Sequence, residues 1–149
     1  MSKKLAAELL KAATLTFEEM GFLLPTAEVD EEQRNAQAEA AVSVDFRGPF
    51  SGKLLMRVYG GLLPILAANM LGEEDAPPKS LQYDALGEIA NVICGNVLPG
   101  IAGSKEFFHV SAPRMTENID LPPAAEVQVG FGLGRADLLL FIGDLAPME

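Results

Sequence analysis

Asp84-Ala85-Leu86-Gly87-Glu88-Ile89-Ala90-Asn91-Val92-Ile93-Cys94-Gly95-Asn96-Val97-Leu98-Pro99-Gly100 is the stretch on which the reading of this chain turns. At about 100° per residue, Asp84, Glu88, Asn91 and Gly95 fall within roughly 60° of one another on a helix. Leu86, Ile89, Ile93 and Val97 gather on the opposite side. The polar strip is narrow and ordered. Gly87 and Gly95 lie beside or within it, and each costs about 0.5–1 kcal/mol in a helix interior relative to Ala. That cost calls for an offset, and bare backbone there would let a partner approach closely. On chemistry alone, acidic residues and Asn on the outer side of a helix are more often simply solvated.

Before this helix, Leu5 to Met20 places apolar residues at helical spacing, and Leu23-Leu24-Pro25 ends the segment. Asp30-Glu31-Glu32-Gln33-Arg34 reads as a solvated loop. Val42, Val44 and Phe46 alternate with polar residues, Arg47-Gly48-Pro49 turns the chain, and Phe50 to Tyr59 forms the second arm of a hairpin. Leu62 to Leu71 is a short apolar helix closed by Gly72, and Ala76-Pro77-Pro78 is a break. The long helix then runs from about Ser80 to Leu98 or slightly beyond. Strands follow at Phe107 to Ser111, Ala125 to Phe131 and Ala136 to Ile142, the last two joined through Gly130-Phe131-Gly132-Leu133-Gly134. The order suggests two related halves, residues 1–75 and 76–149, within one α+β domain built on a mainly antiparallel sheet.

The whole chain has 149 residues, the size of one domain. A hydrophobic fraction of 49% with 21% charged residues describes a folded protein with an ample core. Its formal charge of −10 repels phosphate backbones and anionic lipid heads, which argues against nucleic acid and membrane surfaces as partners. No window reaches the roughly 18 apolar residues of a membrane span, and the start, Met1-Ser2-Lys3-Lys4, does not lead into a signal peptide. One cysteine, Cys94, forms no internal disulfide, so the cytoplasm is the expected compartment. Cys94 flanks the polar strip and reads as a small packing residue.

Outside this helix the sequence offers little chemistry. The single histidine, His109, excludes the usual histidine metal clusters and reads as a strand residue. Gly130, Gly132 and Gly134 superficially resemble a dinucleotide loop, but Asp137 to Ile142 after them reads as a strand where a phosphate cradle needs a helix N-terminus.

The run Gly87-Glu88-Ile89-Ala90-Asn91-Val92-Ile93 with Gly95-Asn96 resembles the signature helix of the CheX/CheC/FliY phosphatases of bacterial chemotaxis. That signature has Asp or Ser, three residues, Glu, two residues, Asn, and later a Pro. Asp84, Glu88 and Asn91 fit it. Pro113 follows Asn91 after 21 intervening residues, one short of the family spacing. In the first half, Glu18 and Glu19 are followed at the corresponding distance by Gly21 and Phe22, so no Asn is available. The resemblance therefore implies a single-site, CheX-like homodimer in which Glu18 and Glu19 are not catalytic.

It also implies an activity, the removal of the phosphoryl group from the aspartate of a phosphorylated CheY-type response regulator. Asn91 would orient the attacking water and Glu88 would dock the regulator through a lysine. Asp84, Gly87 and Gly95 would contact the partner. The chain would need no cofactor of its own, since Mg2+ would be supplied by the regulator. A non-catalytic CheX-like adaptor that binds a regulator or sits in a flagellar or signalling assembly is the alternative. A plain structural domain with a solvated polar strip is the third reading.

Overall fold

Leu9, Ala12, Ala13, Thr16 and Phe17 recur at helical spacing and form the buried stripe of α1, Lys3–Gly21. These coordinates belong to a computed structural model that describes residues 3–115, 122–132 and 134–143. The helix closes in an unusual way. The residue after it, Phe22, adopts φ +54, a left-handed conformation that costs a bulky side chain roughly 1–2 kcal/mol. Leu23 N–H donates to Phe17 O at 3.1 Å, and the Asn69 carboxamide donates to Gly21 O at 2.8 Å.

Residues 30–34, expected as a solvated loop, instead form a capped helical turn, α2, Glu31–Arg34. Asp30 Oδ1 accepts from Gln33 N–H at 2.8 Å while Gln33 Oε1 accepts from Asp30 N–H at 2.9 Å. This is a capping box, and the Asp-x-x-Gln spacing that makes it is visible in the sequence. Gln33 is fully buried and its amide donates to Gly132 O at 2.7 Å.

The alternation of Val42, Val44 and Phe46 with polar residues yields β1, Ala38–Arg47, while β2, Gly52–Tyr59, is apolar on both faces, with Leu54 and Met56 on one and Leu55 on the other. After α3, Leu62–Leu71, and α4, Lys79–Ala102, come the short β3, His109–Val110, then β4, Ala125–Phe131, and β5, Gly134–Ile142. The described strands form one antiparallel sheet in the order β3-β1-β2-β5-β4. The central pair is β2 with β5, in a register that sets Leu54 opposite Leu140 and Met56 opposite Leu138. The expected break at residues 76–79 is the link from α3 to α4. Of the glycine turn after β4, Leu133 lies outside the described residues.

All three long helices cover one side of the sheet. Val42, Val44 and Phe46 of β1, Leu54, Met56 and Val58 of β2, and Ala136, Leu138 and Leu140 of β5 share a core with the buried sides of α1, α3 and α4. The α4 helix extends four residues past the expected end at Leu98, with Pro99 inside it. Proline lacks the N–H that would bond Gly95 O, so a break is the usual outcome. Here Val97 and Leu98, both buried, hold the last turns to the core. Contrary to the expectation of no candidate span, α4 is long and apolar enough by composition to cross a bilayer, with mean hydropathy 1.3 over 18 residues. Half of that window is buried in the protein's own core, which is where its apolarity is used.

On the opposite side of the sheet an ion pair ties α2 to the central strands. Arg135 Nε donates to Asp137 Oδ1 at 2.9 Å, and Arg135 Nη1 donates to the carbonyls of Gln33 and Arg34 at 2.6 and 2.7 Å. The guanidinium also lies 3.7 Å over the Tyr59 ring. Hydrogen bonding to Asp137 raises the Arg135 pKa further above its already high value. Removing one partner of such a pair strands the other charge in the interior. Asp137→Ala is expected to lower unfolding free energy by about 3 kcal/mol, and Asp137→Leu combined with Arg135→Met to cost less than either single change, as read by urea denaturation.

Candidate active site on α4

Leu86, Ile89, Ile93 and Val97 are buried in the core. That side of the helix is fixed, so the opposite strip faces out: Asp84, Glu88, Asn91 and Gly95 are all exposed. The structure thus brings together on one strip the three side chains singled out from the sequence. Glu88 and Asn91 sit one turn apart, about 4.5 Å along the axis, with Asp84 a further turn away. Among the described residues, the side chains of Asp84, Glu88 and Asn91 make no hydrogen bond or ion pair. The strip carries two carboxylates and a carboxamide whose hydrogen-bonding capacity is unspent within the chain.

Gly95 and Gly87 have different surroundings. A Cβ at Gly95 would meet nothing within 4 Å, so the backbone there is open. Gly87, expected as a point of partner approach, is buried, and a Cβ on it would come within 2.9 Å of Pro113 Cγ and 3.3 Å of its Cβ. The space left by the missing side chain is filled by the protein's own proline. That is the offset for the helix cost of this glycine.

Pro113 is brought there by the edge of the sheet. Val110 pairs with Phe46 at the start of the crossing, Ser111 N–H donates to Asp45 O at 2.9 Å, and Ser43 and Arg114 exchange backbone hydrogen bonds of 2.7 and 2.8 Å. Arg114 Nη2 also donates to Asp45 Oδ2 at 2.7 Å. The segment from His109 to Arg114 is in effect laid along the free edge of β1, and Pro113 bulges from it onto α4. Phe108 packs edge-on to Phe46 and Phe50, at 6.0 and 5.1 Å between ring centroids, and anchors the approach. Sequence reasoning placed a strand over Phe107 to Ser111; only His109–Val110 are strand, and His109 is exposed on it. The proline's contact with Gly87 has no local sequence signal, because the two residues meet only through the sheet.

Cys94 is fully buried, and burial together with the nearby Asp45 carboxylate pushes its pKa up from 9.0 to about 12. Glu18 and Glu19 are exposed on α1, with buried Gly21 and left-handed Phe22 after them, so that helix presents no carboxamide beside its carboxylates. The Asn96 amide donates to Thr16 Oγ1 at 3.3 Å and joins α4 to α1. Among the described residues no cluster of three or more His, Cys, Asp or Glu is placed to hold a metal ion.

Residues 40–129, more than half the chain and including the whole of α4 and Pro113, match the family model described as chemotaxis phosphatase CheX. The chain belongs to the CheX family. Similar folds include CheX from Vibrio vulnificus, at 18% identity and a TM-score of 0.69, covering 96% of this chain and 100% of that one. CheX from Desulfovibrio desulfuricans is 17% identical with a TM-score of 0.69, covering 93% of this chain and 99% of that one. A chain of the CheX-CheY-BeF3-Mg2+ complex from Borrelia burgdorferi is 16% identical with a TM-score of 0.68, covering 93% and 97%. No curated protein sequence matches the chain. The likeness to these relatives is one of fold, and in this CheX-family chain the described strands form one antiparallel sheet covered by helices.

Two measurements check this geometry. Gly87→Ala gains helix propensity but is expected to lose about 1–3 kcal/mol through overpacking against Pro113, and Pro113→Gly should abolish most of that penalty in a thermal-denaturation cycle. The Cys94 thiol is expected to resist a disulfide reagent at pH 8 in the native protein and to react at once in urea. Since its folded pKa is raised, the thiol leaves stability unchanged below pH 9 and lowers it as pH climbs from 9 towards 12.

Proposed function

We propose that this protein is a phosphatase for the aspartyl phosphate of a CheY-type response regulator, in chemotaxis or a related two-component pathway, acting in the cytoplasm as a homodimer. The observation that carries the proposal is the unspent polar strip on α4: Asp84, Glu88 and Asn91, exposed, without partners among the described residues, and held on a helix whose other side is locked in the core. Membership of the CheX family supports it, as does the likeness in fold to a CheX solved together with CheY, BeF3 and Mg2+.

An acyl phosphate is hydrolysed when a water attacks phosphorus in line with the departing aspartyl oxygen. The P–O bond to the aspartate breaks, and free carboxylate and inorganic phosphate result. Positioning and electrostatics dominate such a transfer. The carbonyl of the Asn91 carboxamide accepts a hydrogen bond from the water and orients it, while its NH2 donates to an acceptor at the phosphoryl site. A carboxylate would repel the phosphoryl oxygens, so Glu88 is assigned to a lysine of the regulator, a charge-assisted contact that fixes how deeply Asn91 inserts. Asp84 extends the same docking, and the open backbone at Gly95 allows close approach. Mg2+ and a lysine supplied by the regulator would balance the phosphoryl charge.

Decay of a phosphorylated CheY-type regulator in the presence of Mg2+ tests the reading. Wild type is expected to accelerate phosphate release, and Asn91→Ala to reduce that acceleration by about 10²-fold while binding the regulator as before. Binding by both forms with hydrolysis by neither would replace the phosphatase by an adaptor. Glu88→Ala is expected to weaken the complex, with an affinity less sensitive to salt than that of wild type.

A further inference from the structure

The polar strip of α4 has two unlike flanks. Pro113 closes one, on the side of Gly87. Along the other runs an open groove of about 330 Å³ between the end of α1, the end of α3 and the first turns of α4. Phe22, Met70, Leu71 and Leu81 supply apolar walls, and Asp84 and Glu88 stand among them.

Three features set this groove apart from scattered exposed hydrophobes. The apolar residues are contiguous and wet: Phe22 is 71% exposed, Leu71 47% and Leu81 42%. The Phe22 ring is held out on a backbone conformation that glycine would adopt without strain, so folding stability does not account for a phenylalanine there. Finally, Asp84 and Glu88, which belong to the groove and to the proposed active strip alike, form no ion pair among the described residues, and no lysine or arginine lines the groove with them.

We propose that this groove is a docking pocket for the response regulator, taking one bulky aliphatic or aromatic side chain carried beside a lysine or arginine. The apolar group fills the space between Phe22 and Leu81 while the cation meets Asp84 and Glu88. The inference rests on the phosphatase reading and adds to it a second, apolar contact that places the regulator along α4. A second copy of this chain is the rival occupant, but it carries a net charge of −10 and would bring acidic surface towards the two carboxylates. Charge complementarity selects a cationic partner segment.

Phe22→Gly tests the pocket without endangering the fold, because it removes the ring and relieves the left-handed strain together. Leu81→Ser perturbs the other wall. Each is titrated, beside wild type, against the CheY-type receiver domains of the source organism loaded with BeF3 and Mg2+, and thermal unfolding and sedimentation are recorded for each. Both groove variants are expected to bind about tenfold more weakly than wild type, with Phe22→Gly melting no lower than wild type. Groove variants that bind as tightly as wild type overturn the pocket and leave the phosphatase reading standing. A wild-type protein that binds none of the receivers overturns both. Groove variants that lose self-association while binding receivers normally assign the groove to a second copy, and the proposal falls.

Discussion

Leu86, Ile89, Ile93 and Val97 reach from α4 into the same core as Val42, Val44, Leu54 and Met56 of the sheet. Fully burying one such side chain is worth about 1.5–3 kcal/mol, so four of them on one side leave the helix no freedom to roll. With the roll of α4 fixed, Asp84, Glu88, Asn91 and Gly95 face out together on its other side. The helix is also tied along its length, by Asn96 to Thr16 of α1 and by Val97 and Leu98 beyond the point where Pro99 would otherwise end it. The role proposed for the Asn91 carboxamide requires such a scaffold, since small misplacements of a reacting group are costly.

The remainder of the site is organised by contrast between its two flanks. On one, the chain from His109 to Arg114 is hydrogen-bonded to the edge of β1 and lowers Pro113 onto Gly87, which closes that side with the protein's own atoms. On the other, the end of α1 and the end of α3 stop short and leave apolar residues in water. A partner laid on α4 therefore meets a wall on one side and a groove on the other, with two carboxylates between. Cys94 lies beneath this surface, buried and held protonated, and contributes packing to it.

Much of this was legible in the sequence because it depends on period alone. The alternation of Val42, Val44 and Phe46, the helical spacing of Leu86, Ile89, Ile93 and Val97, and the i, i+4, i+7 placement of Asp84, Glu88 and Asn91 are local patterns, and local patterns fix which side of an element is apolar. Even the misread segment at residues 30–34 had a local signal, since Asp30 and Gln33 stand at capping-box spacing. What misled was composition: a run of charged residues looks solvated, yet Gln33 inside it is fully buried beneath Gly132.

The sequence by itself determined the α+β class, the apolar and polar sides of α4 and the identity of the three polar residues on it, because each follows from side-chain spacing within one element. Only the tertiary structure decided that Gly87 is covered by Pro113 while Gly95 is open, that Phe22 is strained outward beside Glu88, and that α1 and α3 end so as to leave a groove there. Those are contacts and gaps between residues far apart in the chain. Their geometry is set by how a hairpin edge and three helices pack on one sheet, which no periodicity in the sequence records.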